Sequence, residues 1–411
     1  ADTLAQTILQ VNDSRVETDM NKLFASFLYG DTVVLTEGDA RPVVVNTKGF
    51  SVRASAEPEN ERVLSGPREG FTECFMPNLA LIRRRVRDTR LKFTFLRVGD
   101  RTNTSVCLCY LDGLCPEELV REMQDRLGAL TLDSVLDANY IAECLREHRW
   151  SPFPTLGTTE RPDVAASRLL EGRCALVVDG SPVVLTAPHL LQECFQSNDD
   201  YYISYLQANV SRVLRTLGFF CSVTIPAVYT ALLLYHRELV PARLLFAVTA
   251  AQRGVPLPVG GEVLLLLIVL EVLREAGART PGAMGQTMSI VGGLVLGQAA
   301  VSARFSAAPT VIVVAVAGVT GLMAPRLQAA ALWLRFLLLG AAAAGGLYGV
   351  GLMLSLTTAL LCRMTSCGVP YLVNLVPRVR ADTEDTWLRV PWYRMKYDRF
   401  RFFRTAGRDR E

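Results

Sequence analysis

GQTMSIVGGLVLGQAAVS, residues 285–302, is long enough to cross a bilayer as a helix, since about 20 residues at about 1.5 Å rise cover about 30 Å. It is nevertheless poor in bulky side chains and carries Gln286, Thr287, Ser289, Gln298 and Ser302, an odd set for a helix facing lipid. On a helical projection Gly285, Ser289, Gly293 and Gly297 share one stripe, and Thr287, Val291, Val295, Gln298 and Ser302 share a nearly opposite one. The small-residue stripe admits another helix at close range. The second stripe suits either a water-filled path narrowed by valine rings, or a bundle interior where neighbours satisfy the polar groups.

Around this stretch the composition divides sharply. The chain has 411 residues, half of them hydrophobic, which leaves room for a soluble domain joined to a membrane bundle. A net charge of +3 describes no part of it: residues 1–205 hold most acidic groups, 213–361 hold repeated apolar runs, and 378–410 are strongly basic. The first residues show no positively charged stretch followed by an apolar run, as a secretory signal has, and a chain opening at Ala1 without Met is expected to be a fragment or a trimmed one. Ten cysteines without a CxxC pair are expected as reduced thiols, mostly core filler. On a strand Cys107 and Cys109 face the same way but are too close in sequence for an ordinary bridge.

The amino-terminal half mixes strands and helices. A helix is expected over 3–28, with Leu4, Ile8, Leu23, Phe24 and Phe27 on its apolar face, then a hairpin over 30–47. Pro67, Glu69 and Glu73 predict a helix running to about Arg87; a second hairpin spans 92–111, and a further helix opens at Pro116. Three prolines and a glycine in SPFPTLGTTERPD, 151–163, mark a joint. The hairpin at 172–188 then repeats the plan of the one at 30–47, with an acidic-Gly turn and a Pro-Val-Val strand. The expected fold is therefore an α/β cytosolic domain of two related subdomains, 1–150 and 151–205, followed by an all-α transmembrane bundle over 206–361.

Within the bundle, 213–235 is the first span, preceded by Arg212 and Arg215. Residues 260–277 are apolar only in their middle and bracketed by Glu262, Glu271, Arg274 and Glu275, which predicts an interfacial, re-entrant or oligomer-buried helix. After 285–302 come 310–323 and a long run over 329–361 interrupted by Arg335, expected to snorkel. The tail, 362–411, joins Arg and Lys with Trp387, Trp392, Tyr393 and Tyr397, which places it on the cytoplasmic side. Both ends inside demand an even number of crossings, so about four full spans are expected, with 260–277 as the incomplete segment.

Catalytic signals are absent: His148, His189 and His236 lack paired spacing, and there is no GxxxxGK[ST] loop or GxSxG elbow. Arg83, Arg84, Arg85 and Arg87 read as a solvated helix face or a contact with an acidic partner or subunit, not a nucleic-acid groove, which needs interleaved aromatics. Glu262, Glu271 and Glu275 are either structural pairs or a cation-attracting ring around an axis.

Several segments together resemble the A subunits of the GerA family of spore germinant receptors: GPREGFTECFMPNLALIRRRVRDTRLK (66–92), SPFPTLGTTERPD (151–163), LLEGRCALVVDGSPVVL (169–185), FQSNDDYY (195–202), GVPLPVGGEVLLLLIVLEVLREAG (254–277), GQTMSIVGGLVLGQAAV (285–301) and SCGVPYL (366–372). The resemblance implies a multi-pass subunit in the inner membrane of the spore, partnered by a transporter-like B subunit and a lipoprotein C subunit. It also implies assembly as a homo-oligomer, a pentamer, around a channel for monovalent cations. The usual proline of FQSNDDYY is Asn198 here, and the acidic residue that commonly follows GQAAV is Ser302, which removes a carboxylate from that end of the helix. The SpoVAF protein of sporulation is a relative, so a channel-amplifier role stands beside the receptor role, as does a non-conducting scaffold.

Overall fold

The structure, a computed structural model, describes residues 14–28, 31–36, 39–45, 57–58, 60–63, 65–279, 283–373, 385 and 387–394. It divides into two compact units, residues 1–54 and 55–411.

In the first unit β1 (Ser14–Val16) is followed by α1 (Met20–Leu28), β2 (Thr32–Thr36) and β3 (Asp39–Val45), with β3 central in an antiparallel sheet of order β1-β3-β2. The hairpin expected at 30–47 is β2–β3. The single helix expected over 3–28 is replaced at residues 14–16 by a strand, because Arg15 and Val16 pair with Val44 and Val43; residues 3–13 lie outside the described residues.

The second unit begins with a three-layer domain. Its elements are α2 (Phe75–Arg85), β4 (Leu91–Val98), β5 (Thr104–Leu111), α3 (Glu117–Gly128), α4 (Ala138–Leu145), β6 (Gly157–Thr159), α5 (Pro162–Leu170), β7 (Cys174–Val178) and β8 (Val184–Ala187). The five strands form one antiparallel sheet of order β4-β5-β7-β8-β6. Alternate residues face opposite layers: Val106, Leu108, Leu176 and Val178 pack under α3 and α4, whereas Cys107, Cys109, Ala175 and Val177 pack under α2 and α5. Covering both faces makes β7, CALVV, buried throughout and therefore apolar at every position. All ten cysteines are free thiols, six of them buried.

Two expectations change here. The helix predicted to open near Gly66 starts only at Phe75, because residues 66–74 form a loop in which Asn78 binds the backbone of Thr72 from both sides, at 2.9 and 2.5 Å. The stretch 151–163 is also no boundary between sheets, since β6 inside it pairs with β8. The two look-alike hairpins do sit in separate sheets, but the division between compact units falls at 54/55 rather than 150/151.

From the sheet domain, α6 (Tyr205–Tyr235) leads outward, its start capped by Ser204. α7 (Ala242–Gln252) lies at the far end, and α8 (Val259–Arg279), α9 (Ala283–Ser302), α10 (Ala308–Gly321) and α11 (Gln328–Arg363) follow. Contacts give each a direction. Gly260 of α8 lies by Thr230 and Ala343, far from the sheet domain, while Gly218, midway along α6 and nearer that domain, meets Thr320 at the end of α10 and Met323 just beyond it. α11 is bent double: a straight helix of 36 residues would run about 54 Å, yet Leu327 and Met364, flanking it, share one cluster with Phe153 and Cys194. The reversal is at Gly346, whose φ of 59° and ψ of −142° only glycine adopts readily. Tyr235 Oη donates to the carbonyl of Ala343 at 2.7 Å, fastening this turn to the far end of α6.

Among the described residues the bundle thus has six antiparallel helical segments: α6, α8, α9, α10 and the two arms of α11. Within the bundle the stretch 260–277 lies in the 21-residue helix α8, and 329–361 is divided into two arms by the reversal at Gly346. Glu262 and Glu271 of α8 are bonded inside the bundle. Thr365–Ser366 (β9) and Val369–Pro370 (β10) form a small hairpin against the sheet domain, where Tyr371 Oη donates to Pro154 O at 2.8 Å. By length and composition, α6 and the segment Pro325–Arg363 are long and apolar enough to cross a membrane.

Candidate functional site

α9 carries both predicted stripes. The side chains of Gly285, Thr287, Ser289 and Val291 lie outside the described residues. Of the remainder, Val295, Gln298 and Ser302 are exposed, Val295 by 55%. Gly293 opens onto free space, whereas Gly297 faces Val311 of α10 at 3.6 Å from the site a Cβ would take. The closest approach is at Gly292, where a Cβ would come within 2.9 Å of Leu273 on α8. Among the described residues, the packed edge of α9 therefore runs through Gly292 and Gly297, and its polar positions have no cover from this chain.

The three acidic candidates have different surroundings. Glu262 is 1% exposed and accepts hydrogen bonds from Ser306 Oγ at 2.7 Å and from the backbone N–H of Ala307, so it caps the start of α10 from another helix. Glu271 pairs with Arg274 on its own helix and with Arg335 Nη1 at 3.4 Å. Glu275 is exposed and paired with Arg279.

Arg335 does not snorkel. It is 3% exposed, and its guanidinium donates to Ser222 O, Ser222 Oγ and Ala317 O, each at 3.1 Å. Four helices, α6, α8, α10 and α11, thereby meet at one side chain. Gly321 makes room, since a Cβ there would collide with Arg335 Nη2. A buried arginine persists in such surroundings only when paired and fully hydrogen-bonded. An arginine in one apolar run with a glutamate in another was the signal for this cluster.

A second cluster, missed by motif reasoning, joins the sheet domain to the bundle. Asp200, fully buried within FQSNDDYY, accepts from Arg212 Nε at 3.0 Å and from Arg215 Nη1 at 3.0 Å. Arg212 Nη1 donates to Asp385 at 2.7 Å, Tyr201 Oη donates to the same carboxylate at 2.6 Å, and Arg389 donates to the carbonyl of Asp200. Burial raises the Asp385 carboxyl against the pull of Arg212. Nearby, Glu193 lies within ion-pair distance of Arg168, Arg173 and His189 Nδ1. Burial opposes its charge, but Arg168 and Arg173 outweigh that and hold it well below the usual carboxylate range. Burial also lowers His189, which is a satisfied core histidine.

The arginine run is largely spoken for. Arg84 and Arg85 pair with Glu69, Arg83 donates to the carbonyls of Asp88 and Leu91 and lies 4.6 Å over Phe93, and Arg87 reaches back to Arg84 O. Arg84 keeps 59% of its side chain exposed.

Fold and site define a class: an apolar helical bundle tied by buried ion pairs to an α/β domain. The family profile described as Bacillus/Clostridium GerA spore germination protein matches residues 1–400. Uncharacterized membrane protein YfkQ of Bacillus subtilis (strain 168) is 39% identical over 392 residues, covering 95% of this chain and 76% of that protein. Spore germination protein KA of the same organism is 37% identical, covering 95% of this chain and 72% of its own, and spore germination protein GerLA of Bacillus cereus is 34% identical, covering 98% and 82%. A crystal structure of the N-terminal domain of the A subunit of the Bacillus megaterium spore germinant receptor GerK3 is 32% identical, covers 46% of this chain and 68% of that one, and has a TM-score of 0.26. The chain belongs to the GerA family of spore germination proteins, as the resemblance in its sequence implied.

Proposed function

We propose that this chain is the membrane-embedded A subunit of a nutrient-sensing germination receptor. Copies surround an axis, as a pentamer, with α9 of each lining a path for monovalent cations. The observation that carries this is the bare face of α9: Gln298 and Ser302 are uncovered in the single chain, and polar groups at membrane depth need protein or water. In this reading Val291 and Val295 narrow the path, and the six passes keep the sheet domain and the tail on one side, the cytoplasmic side of the spore inner membrane. A transporter-like B subunit binds the nutrient and a lipoprotein C subunit completes the complex.

Cation flux through the complex reconstituted in vesicles tests the assignment. Val291→Ala and Val295→Ala are expected to raise the resting leak; an unchanged leak in both removes α9 from the pore. The scaffold alternative draws on one observation, that Glu271 is already neutralised by Arg274 and Arg335. Under it, Glu271→Gln changes assembly and leaves ion selectivity untouched.

A further inference from the structure

Between α6, the returning arm of α11 and residues 191–196 lies a cavity of about 260 Å³. Its deep walls are Phe219, Val223, Leu334 and Leu354, and the end toward the sheet domain carries Gln192 and Arg212. Two buried polar atoms at that end lack partners among the described residues: Arg212 Nη2, on a residue 2% exposed, and Gln192 Oε1, on one 8% exposed. Such orphans are rare in folded proteins and call for an occupant. Among the described residues, Arg212 and Arg215 pair with Asp200 and Asp385 while Arg389 donates to the carbonyl of Asp200, so three guanidiniums gather around two carboxylates at this end.

The order of groups matches a lipid standing in one leaflet. Arg212 precedes Phe219 by seven residues on α6, so the charged end lies about 10 Å nearer the sheet domain than the apolar walls. The cavity rim includes Phe220 and Trp387, each 49% exposed, and a rim tryptophan suits the headgroup level. The space equals about nine waters, and apolar walls keep it dry, which suits a length of acyl chain.

We propose that this cavity binds one anionic glycerophospholipid. An acyl chain lies between α6 and α11, and a phosphate or ester oxygen accepts from the Arg212 guanidinium, whose unpartnered Nη2, buried in this structure, turns toward the cavity to meet it. The bound lipid would brace the junction where Asp200 ties the sheet domain to α6. This rests on the reading that α6 and α11 cross the bilayer.

Brominated lipids, which quench tryptophan, test it in the full chain reconstituted in phosphatidylcholine vesicles. One variant keeps only Trp387 and a control keeps only Trp333, which is 58% exposed on the first arm of α11; the other tryptophans become Phe. Brominated phosphatidylglycerol is expected to quench Trp387 at about tenfold lower mole fraction than brominated phosphatidylcholine, the preference one charge-assisted hydrogen bond supplies. Thr357→Phe, which fills the cavity from its wall, should abolish the preference, and Trp333 should respond to both lipids alike. Equal quenching of Trp387 by both lipids, or a preference that survives Thr357→Phe, overturns the site while leaving the membrane reading intact. If Trp333 is not quenched either, the membrane reading falls with it.

Discussion

Arg335 and Glu271 should be coupled far more strongly than two surface charges. In Arg335→Met, Glu271 keeps Arg274, but the Ser222 and Ala317 oxygens lose a buried donor that reached each at 3.1 Å. In Glu271→Gln, Arg335 keeps those oxygens but faces Arg274 without a carboxylate between them. Breaking one side of a buried pair typically costs about 3–5 kcal/mol. Arg274 softens the first change, so about 2–4 kcal/mol is expected for Arg335→Met and about 3–5 kcal/mol for Glu271→Gln. The double variant removes the partner each single change strands, so it should cost less than the sum by about 1–3 kcal/mol. Denaturant unfolding of the full chain in mixed micelles, followed by circular dichroism, measures all three against the parent. Additive single costs, with a coupling below about 0.5 kcal/mol, would refute the claim that this pair locks four helices together.

Two further outcomes follow from local geometry. Gly346→Ala should destabilise the bundle by about 1–3 kcal/mol in the same assay, since the residue has φ 59° and a Cβ would come within 2.8 Å of the His236 ring; an unchanged midpoint would mean that α11 does not reverse there. His189, lowered from its ordinary 6.5 by burial, stays neutral when folded and takes a proton when unfolded. Stability should therefore fall as pH drops below about 6.5, by up to about 1.4 kcal/mol per unit, until the lowered folded pKa is passed. Glu193 adds a further loss that sets in as pH falls through the ordinary 4.5 and continues below it, since its folded pKa lies well under that value. Thermal melts from pH 7 to 5 should show a slope that His189→Gln flattens, and an equal slope in both proteins would exclude His189 as its source.

Much of the local structure was legible from residue pattern. Alternation and turn residues placed β2–β3, β4–β5 and β7–β8, because strand period and turn chemistry act over a few residues. Helix starts were less so: Pro67 and Glu69 mark a favourable helix opening, yet the chain is held in a loop until Phe75 by Asn78, whose bonds to Thr72 no periodicity encodes. What surrounds the charges of 260–277 was hidden for a related reason. The cost of Glu262 and Glu271 depends on partners far away in sequence, Ser306, Ala307 and Arg335.

The sequence by itself determined the division into an α/β half and an apolar half, and the membership of the GerA family, because composition, short-range period and motif spelling are written along the chain. Only the tertiary structure decided that both hairpins flanking 151–163 share one sheet, that the run over 329–361 folds back at Gly346, and that Arg335 belongs to the core. Each of these is set by which distant residue fills a given space or meets a given charge. For α9, where the polar stripe was plain from the outset, the fold added which edge is packed, through Gly292 and Gly297, and which positions it leaves bare.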